Sequence, residues 1–428
     1  MSRPPAAPAH ARHPQAGIAV SISRCTSEVS PDVITDCSTD ASSRSLSRQP
    51  CSASSDPLEA IVSHTERRQI QLFIARVLSS AGGCGAGRAD TTRPPRGRFY
   101  RRLRLLARRL RRRRLPNPVI SVGNLTLGGT GKTPLVIHAA GILSSLGYTP
   151  AVLTRGYGRD RPAQPRILPP GRGDDGDASL LGDEPALIRR RVPSAWMGVS
   201  ADRYGAGRLI SRHALDAVFV LDDGFQHRAL HRDLDIVVLD ASQPLGANRV
   251  FPRGTLREPP HALRRCHAVV LNEASEEGAA AAVEEEIRRL RCNAMIFHCR
   301  QSIRALVPFA SWSRATGDGD PVSAVRSAYL AAAIGNPARF RLDVAILGID
   351  VRGARFFPDH HRIGRREWTL CAEEAREKGA DAILVTEKDA VKITEPPDFP
   401  LLVSVQSSEI REAAAFEAVL KACAEGRR

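Results

Sequence analysis

The segment Gly123-Asn-Leu-Thr-Leu-Gly-Gly-Thr-Gly-Lys-Thr133 sets small residues, a lysine and a hydroxyl in the order a phosphate-cradling loop needs. Small residues let backbone N–H groups converge on phosphate oxygens, Lys132 can reach the terminal phosphates, and Thr133 can hold a magnesium ion. The residues expected around the nucleotide are Thr126, Gly128, Gly129, Thr130, Gly131, Lys132 and Thr133. The pattern G-x-x-x-x-G-K-[ST] asks for glycine where this chain has Thr126, so the loop is a variant kept flexible by Gly128, Gly129 and Gly131. A nucleoside triphosphate such as ATP is the expected ligand.

The apolar run Ala217-Val-Phe-Val-Leu221 ends in Asp222-Asp223-Gly-Phe-Gln-His227, which puts adjacent carboxylates at the C-terminal end of a strand. Ligands bind at that edge in open α/β sheets, and phosphate-loop proteins use a strand-end aspartate to hold magnesium, directly or through water. Thr133, Asp222 and Asp223 are therefore the candidate Mg2+ ligands, with a plain Asp-Gly turn as the structural alternative. Gly182-Asp183-Glu184-Pro185 opens a helical stretch, where negative charge is stabilised by the helix N-terminus; alone it reads as an ordinary cap. Phe357-Pro-Asp-His360-His361 offers metal binding or proton transfer, or else a surface loop. Asp-His-His also names a class of metal-dependent phosphoesterases, but these need several aspartates and histidines and no Gly-Lys-Thr loop, so that reading explains fewer residues. Arg155, Arg203 and Arg257 follow strands or lie in loops, and their guanidinium forks suit phosphate and sugar recognition, or surface ion pairs.

These groups need a scaffold that gathers strand ends. Apolar runs at 118–122, 150–153, 217–221, 236–239, 268–271, 329–334 and 382–385 alternate with helical patterns at 134–146, 279–290 and 367–378. Such alternation predicts an α/β fold, P-loop NTPase-like, with a mainly parallel sheet and helices on both faces. The region 300–320, with Pro308 and Gly317, reads as a connection, which places a boundary near residue 305 before a smaller C-terminal α/β domain. The expected organisation is a disordered tail at 1–55, basic amphipathic helices at 56–116, a P-loop core at 117–305 and the smaller domain at 306–428.

A chain of 428 residues with formal charge +16 can bury a sizeable core, and its charge excess is local: residues 93–114 carry twelve arginines and no acid. There Phe99, Leu103, Leu106 and Leu110 form one apolar stripe on a helix whose other faces are almost all arginine. An earlier helical pattern runs through Leu58, Ile61, Ile70, Phe73 and Val77, ended by Gly82-Gly83. Near an anionic leaflet each basic residue contributes about 1 kcal/mol, which makes an anionic membrane surface the leading partner. A solvated arginine face packed by leucines is the structural alternative. Only Phe99 and Tyr100 are aromatic there and no recognition motif follows, so no nucleic acid is expected. No apolar run approaches the ~20 residues needed to span a bilayer. Nine cysteines without a C-x-x-C pair indicate neither a zinc site nor a disulfide framework.

Taken together, Gly123-Asn-Leu-Thr…Gly-Gly-Thr-Gly-Lys-Thr-Pro134, Arg155-Gly-Tyr-Gly-Arg159, Gly182-Asp-Glu-Pro185, Asp222-Asp-Gly-Phe-Gln-His227, Leu256-Arg-Glu-Pro259, Ile334-Gly-Asn-Pro337, Asp359-His360 and Thr386-Glu-Lys-Asp389 resemble the tetraacyldisaccharide 4′-kinases of lipid A synthesis. The resemblance runs from about residue 98 to 405, and Thr126 fits it, since that family's loop commonly reads this way. It implies transfer of the ATP γ-phosphoryl group to the 4′-hydroxyl of an acylated glucosamine disaccharide 1-phosphate, by a peripheral protein at the cytoplasmic face of the bacterial inner membrane. It also implies an aspartate–histidine dyad at Asp183 and His360, with Lys132 stabilising the transferring group and Arg155, Arg203 and Arg257 facing the substrate.

Three departures from that pattern stand out. The N-terminal anchor is shorter and more arginine-rich, the loop Gly246-Ala-Asn-Arg-Val-Phe-Pro-Arg-Gly-Thr-Leu-Arg257 lacks the usual Gly-Asn-Gly and Ala-Gly-Pro, and a long polar tail precedes residue 56. A P-loop enzyme with a soluble substrate leaves the basic helix idle. A non-catalytic, nucleotide-regulated membrane-binding protein leaves Asp183 and His360 without work.

Overall fold

The computed structural model describes residues 112–426 apart from the surface segments 158, 160–163, 172–177, 243–244, 246–248, 252, 273–278, 291, 315–320 and 323–324. The expected tail at 1–55 and the basic helices up to residue 111 lie outside the described residues.

One half of the sheet is built around β1 (Val119–Asn124), followed by the glycine-rich loop and α1 (Lys132–Ser145). It continues with β2 (Thr149–Thr154), β3 (Arg166–Leu168), α2 (Ala178–Leu181), α3 (Asp183–Arg191), β4 (Trp196–Val199), α4 (Arg203–Ile210), β5 (Ala217–Asp222), β6 (Leu234–Asp240), β7 (Ala268–Asn272) and α5 (Ala279–Arg289). The chain then enters the long β8 (Met295–Pro308), α6 (Phe309–Arg314), β9 (Ser327–Ala332), α7 (Pro337–Ile346), β10 (Asp350–Phe356), α8 (Arg365–Glu377), β11 (Ala382–Thr386), α9 (Glu387–Ala390), β12 (Leu401–Ile410) and α10 (Ala413–Ala424). All twelve strands form one sheet in the order β10-β9-β11-β12-β8-β7-β6-β1-β5-β2-β4-β3.

The expected mainly parallel sheet is present. Antiparallel pairing occurs at the β3–β4 edge and at β8–β12, in the middle of the sheet. Strands buried on both faces read as continuous apolar runs, and their side chains divide by the period of two. In β5, Val218 and Val220 enter the core under α1, α3 and α10, while Ala217, Phe219 and Leu221 enter the core under α4. The same rule splits β9 and β11: Tyr329, Ala331, Ile383 and Val385 face α8, whereas Ala328, Leu330, Ala382 and Leu384 face α7. Fully burying one such Val or Leu side chain contributes about 1.5–3 kcal/mol.

The segment expected as a connection at 300–320 is different. Over its described residues it is mainly strand and helix, and residue 305 lies inside β8. Arg300, Gln301, Ser302 and Arg304 interrupt the apolar pattern because this stretch pairs only with β12, leaving the chain without the second neighbour that apolar strands usually have. The chain also returns. Ile410, Phe416, Leu420 and Cys423 pack into the core that holds α1, with Phe416 stacked on His138 and edge-on to Phe297.

Register explains how the site forms. β7 joins β8 at residues 295–299, and β11 joins β12 at residues 401–404, of which 402–404 pair with 308–306 of β8. Because β8 and β12 are antiparallel, both half-sheets point their C-terminal strand ends toward the bare middle of this ribbon. Seven residue steps separate Cys299 from Leu306, roughly 23 Å at the usual strand rise. Strand polarity thus creates a cleft with a ligand-binding edge on each side.

Candidate active site

The first edge carries the phosphate loop. Asn124, at the end of β1, donates through Nδ2 to the Thr126 carbonyl (2.7 Å) and to Thr130 Oγ1 (3.0 Å), tying the two arms of the loop together. Thr126 is buried and bridges to Leu256, while Leu127 N and Arg257 N complete a short antiparallel pairing with Thr255 and Leu125. Gly131 precedes α1 with φ 86°, a left-handed conformation that favours glycine, and no side chain caps the helix. The first-turn amides therefore lack intrahelical acceptors, as an anion-binding helix start requires.

Behind the loop lies the acidic strand end. Asp222 is buried and accepts from Thr154 Oγ1 at 3.1 Å. Burial, reinforced by Asp223 and Glu184, pushes its carboxyl up to about 6. Asp223 has φ 51° and takes both bonds from Arg257 Nη1, at 2.7 and 2.9 Å, with Lys132 Nζ at 3.8 Å. Burial works to raise the Asp223 carboxyl, but Lys132 and Arg257 outweigh it and hold it below the usual carboxylate range. Burial lowers the Lys132 ammonium against the pull of Asp223. Arg203, buried at the start of α4, faces Asp222 and Asp223, and burial opposes its charge.

The second edge carries the ionic cluster. Asp183 begins α3, whose other end is anchored by Arg191 on Glu387 (2.9 Å). Asp183 Oδ2 is 3.2 Å from His360 Nδ1 and 3.3 Å from Lys392 Nζ, which also binds Asp389 Oδ1 at 3.0 Å. Burial would raise the Asp183 carboxyl, yet His360 and Lys392 hold it low. The bond from Asp183 raises the His360 imidazole above 6.5 despite burial. His360 Nε2 lies 3.4 Å from Lys388 Nζ, 3.6 Å from Asp359 and 3.7 Å from Glu184, and Lys388 bridges Glu184 and Asp359 at 2.9 Å each. Like Asp223, His360 adopts a positive φ, 67°, so the turn after β10 aims its ring at α3.

The edges meet. A Cβ on Gly335, in the turn from β9 to α7, would stand 3.4 Å from the Gly129 amide nitrogen, so the short side chain lets this turn approach the loop. One cavity of about 1050 Å³ receives Gly128 to Thr133, Arg155, Arg203, Asp222, Asp223, Arg257 and His360 from the residues expected by sequence. Thr126 lies behind the loop, and Asp183 is reached through His360. Glu184, Lys388, Asp359 and Lys392 received no role from the sequence, although Glu184, Asp359 and Lys388 stand within motifs that carried the resemblance. Gln301 and Asn272 had no signal of any kind.

Among the described residues, no group of three or more histidine, cysteine or acidic side chains forms a metal site. Mg2+ binds proteins through one or two carboxylates plus substrate phosphates, and the buried Asp222 carboxylate beside Asp223 and Glu184 is a donor whose charge a cation would compensate. The arrangement can hold a polyphosphate on one side, accept a proton on the other, and enclose a sugar-sized acceptor between them. No described helix is long and apolar enough to cross a membrane.

Comparison with known proteins gives the same direction. Residues 97–425 match the family model described as tetraacyldisaccharide-1-P 4′-kinase. The chain is 39% identical over 311 residues to a tetraacyldisaccharide 4′-kinase of Anaeromyxobacter dehalogenans, covering 71% of this chain and 81% of that protein. It is 40% identical over 284 residues to one of Geobacter sulfurreducens, covering 66% and 76%. A crystal structure of LpxK from Aquifex aeolicus in complex with ATP aligns with TM-score 0.57 and 26% identity, covering 76% of this chain and 95% of that one. The matched segment includes the phosphate loop, the acidic strand end and the His360 turn, and on this evidence the chain belongs to the tetraacyldisaccharide 4′-kinase family.

Proposed function

We propose that the protein transfers the γ-phosphoryl group of ATP to the 4′-hydroxyl of a tetraacylated disaccharide 1-phosphate, with Asp183 and His360 handling the acceptor proton. The observation that carries this reading is that one cavity holds both the phosphate loop and a histidine fixed by a buried carboxylate.

His360 donates through Nδ1 to Asp183, leaving Nε2 as the acceptor for the hydroxyl proton. Asp183 fixes that tautomer and stabilises the imidazolium, while Lys392 keeps Asp183 ionised and oriented. The deprotonated oxygen forms its bond to the γ-phosphorus as the bond to the bridging oxygen breaks, and ADP departs. Lys132 offsets charge on the transferring group, and most of the rate comes from such positioning and electrostatics. Thr133 and Asp222 would hold Mg2+, which would supply charge neutralisation on the phosphates; Asp223, engaged by Arg257 and Lys132, would lie beside it. Arg155 and Arg203 face the acceptor's phosphate or sugar, and Arg257 orients Asp223 at the same edge.

The substrate is an amphiphile, so the reaction takes place at an anionic membrane surface, the cytoplasmic face of the inner membrane, with the arginine-rich stretch before residue 112 as the docking element. Charge attraction is screened at high ionic strength, so about 0.5 M salt should release the protein from anionic vesicles, and salt-resistant binding would point to hydrophobic insertion. The kinase test is incubation with labelled ATP, magnesium and the tetraacylated disaccharide. A labelled lipid supports the reading. ATP hydrolysis with an unlabelled lipid would favour a soluble acceptor, and turnover unchanged from the parent in both Asp183→Asn and His360→Ala would remove the dyad.

A further inference from the structure

The bare ribbon between the half-sheets carries a side chain that reaches into the phosphate loop. Gln301, on β8, donates through Nε2 to the Gly131 carbonyl at 2.9 Å and accepts through Oε1 from Asn272 Nδ2 at 3.2 Å. Asn272, at the end of β7, also donates to the Thr130 carbonyl at 3.4 Å. Two carboxamides therefore hold consecutive loop carbonyls, and a Cβ at Gly131 would overlap the Gln301 carboxamide.

The peptide unit is planar and trans, so each carbonyl points opposite to the N–H that follows it. Fixing the Thr130 and Gly131 carbonyls on Asn272 and Gln301 turns the amides of Gly131 and Lys132 the other way. These are amides at the uncapped start of α1, the ones that bind phosphate oxygens in a loop of this kind. Leu135 N reaches the Gly131 carbonyl only at 3.4 Å, so the helix alone holds that peptide weakly. The Gln301 backbone is fixed in turn: its carbonyl accepts from Arg339 Nη2 at 3.1 Å, and Arg339 Nε is paired with Asp343 on α7 at 2.7 Å.

We infer that Gln301, with Asn272, is a positioning residue for the phosphate loop: it presets the orientation of the Gly131 and Lys132 amides toward the triphosphate and ties that orientation to the β8–β12 ribbon. The inference rests on the loop being the ATP site. Its chemistry needs a donor for Gly131 and an acceptor for Asn272 in one side chain, which glutamine provides. Methionine fills the same space with neither, and glutamate keeps the acceptor while facing a carbonyl with a second acceptor.

The test measures ATP affinity directly in the full chain, by titration with a fluorescent ATP analogue, alongside KM for ATP and for the lipid acceptor. In Gln301→Met the ATP dissociation constant and KM rise roughly tenfold, the effect of losing about one well-placed hydrogen bond, with the acceptor KM within twofold of the parent. Gln301→Glu weakens ATP at least as much. Asn272→Ala adds less to Gln301→Met than it costs alone, because the two side chains act as a unit. Unchanged ATP affinity in folded Gln301→Met and Gln301→Glu, or equal changes in both KM values, overturns the inference while leaving the kinase reading intact. A parent protein that fails to bind ATP overturns the ATP site and this inference with it.

Discussion

The two edges of the cleft solve different problems by different means. On the proposed function the edge at β1 and β5 would bind with backbone: Gly128 to Thr133 would present amides, and the side chains around them mainly fix carbonyls, as Asn124 does for Thr126. The side at β9 to β11 works with side chains: His360, Lys388, Lys392 and Asp359 meet Asp183 and Glu184 of α3 in one charged cluster drawn from three parts of the chain. Backbone recognition of phosphate is local in sequence and tolerates exchange of many side chains. A charged cluster depends on every partner, because a lone charge left behind in a buried place is costly. The first edge should therefore fail through its lysine and its peptide geometry, and the second through loss of any one pairing.

The largest expected effect breaks the first edge at its only cation on the loop. Lys132→Ala should lower turnover by on the order of 10³-fold or more, the scale at which a transition-state cation acts in phosphoryl transfer. Lipid labelling by the purified variant checks it, and near-parental turnover would remove Lys132 from the chemistry. The second edge should respond nearly as strongly to a single proton-handling change. Asp183→Asn is expected to reduce kcat by about 10²–10⁴-fold with KM for ATP little changed, since the loop is untouched. A matching rise in the ATP KM would show that the two edges are not separable.

Lys392→Met sharpens the comparison on stability instead of rate. The Lys392 side chain is 3% exposed and joins Asp183 to Asp389, so its removal leaves buried carboxylates uncompensated. A loss of about 3–5 kcal/mol is expected, read from denaturant unfolding. An effect below about 1 kcal/mol would mean that solvent reaches the pair.

The pH dependence follows from His360. Its imidazole is raised above 6.5 by the Asp183 bond, so the ring stays protonated, and unable to take a proton, to a higher pH than an isolated histidine. Turnover should therefore fall as pH drops through a value above 6.5. In linkage terms the His360–Asp183 pairing stabilises the fold fully below 6.5 and is lost as pH rises through the raised value. Asp183→Asn should move the acid limb of its residual activity to lower pH; an unmoved limb assigns that titration to another group. The smallest effect is expected where the edges touch. Gly335→Ala sets a Cβ 3.4 Å from the Gly129 amide, a tight but tolerable approach, and should raise the ATP KM by no more than a few-fold. A far larger rise in Gly335→Ala would mean that the loop tip cannot yield.

The asymmetry also governs what could be read in advance. Gly128 to Thr133 and Asp222-Asp223 were legible as candidates because each lies next to a strand whose apolar run announces it. His360 and Asp183 stood out only through a resemblance, since a histidine after an aspartate or a carboxylate at a helix start serves many roles. Lys392 had no motif to mark it, yet its side chain is nearly fully buried. Gln301 was hidden more deeply, because the polar residues of β8 read as a connection when they in fact line the open middle of the ribbon.

By itself the sequence determined a strand–loop–helix for polyphosphate, a parallel α/β fold and, through ordered motifs, its family. The reason is physical: backbone conformation, apolar periodicity and residue type act over a few neighbours. Tertiary structure decided that β8 and β12 pair antiparallel, which turns two sets of strand ends toward each other across one cavity. That register brings Asp183 within 3.2 Å of a histidine 177 positions away. No local rule encodes such a distance, because it is set by how far a twisted ribbon carries one half-sheet from the other.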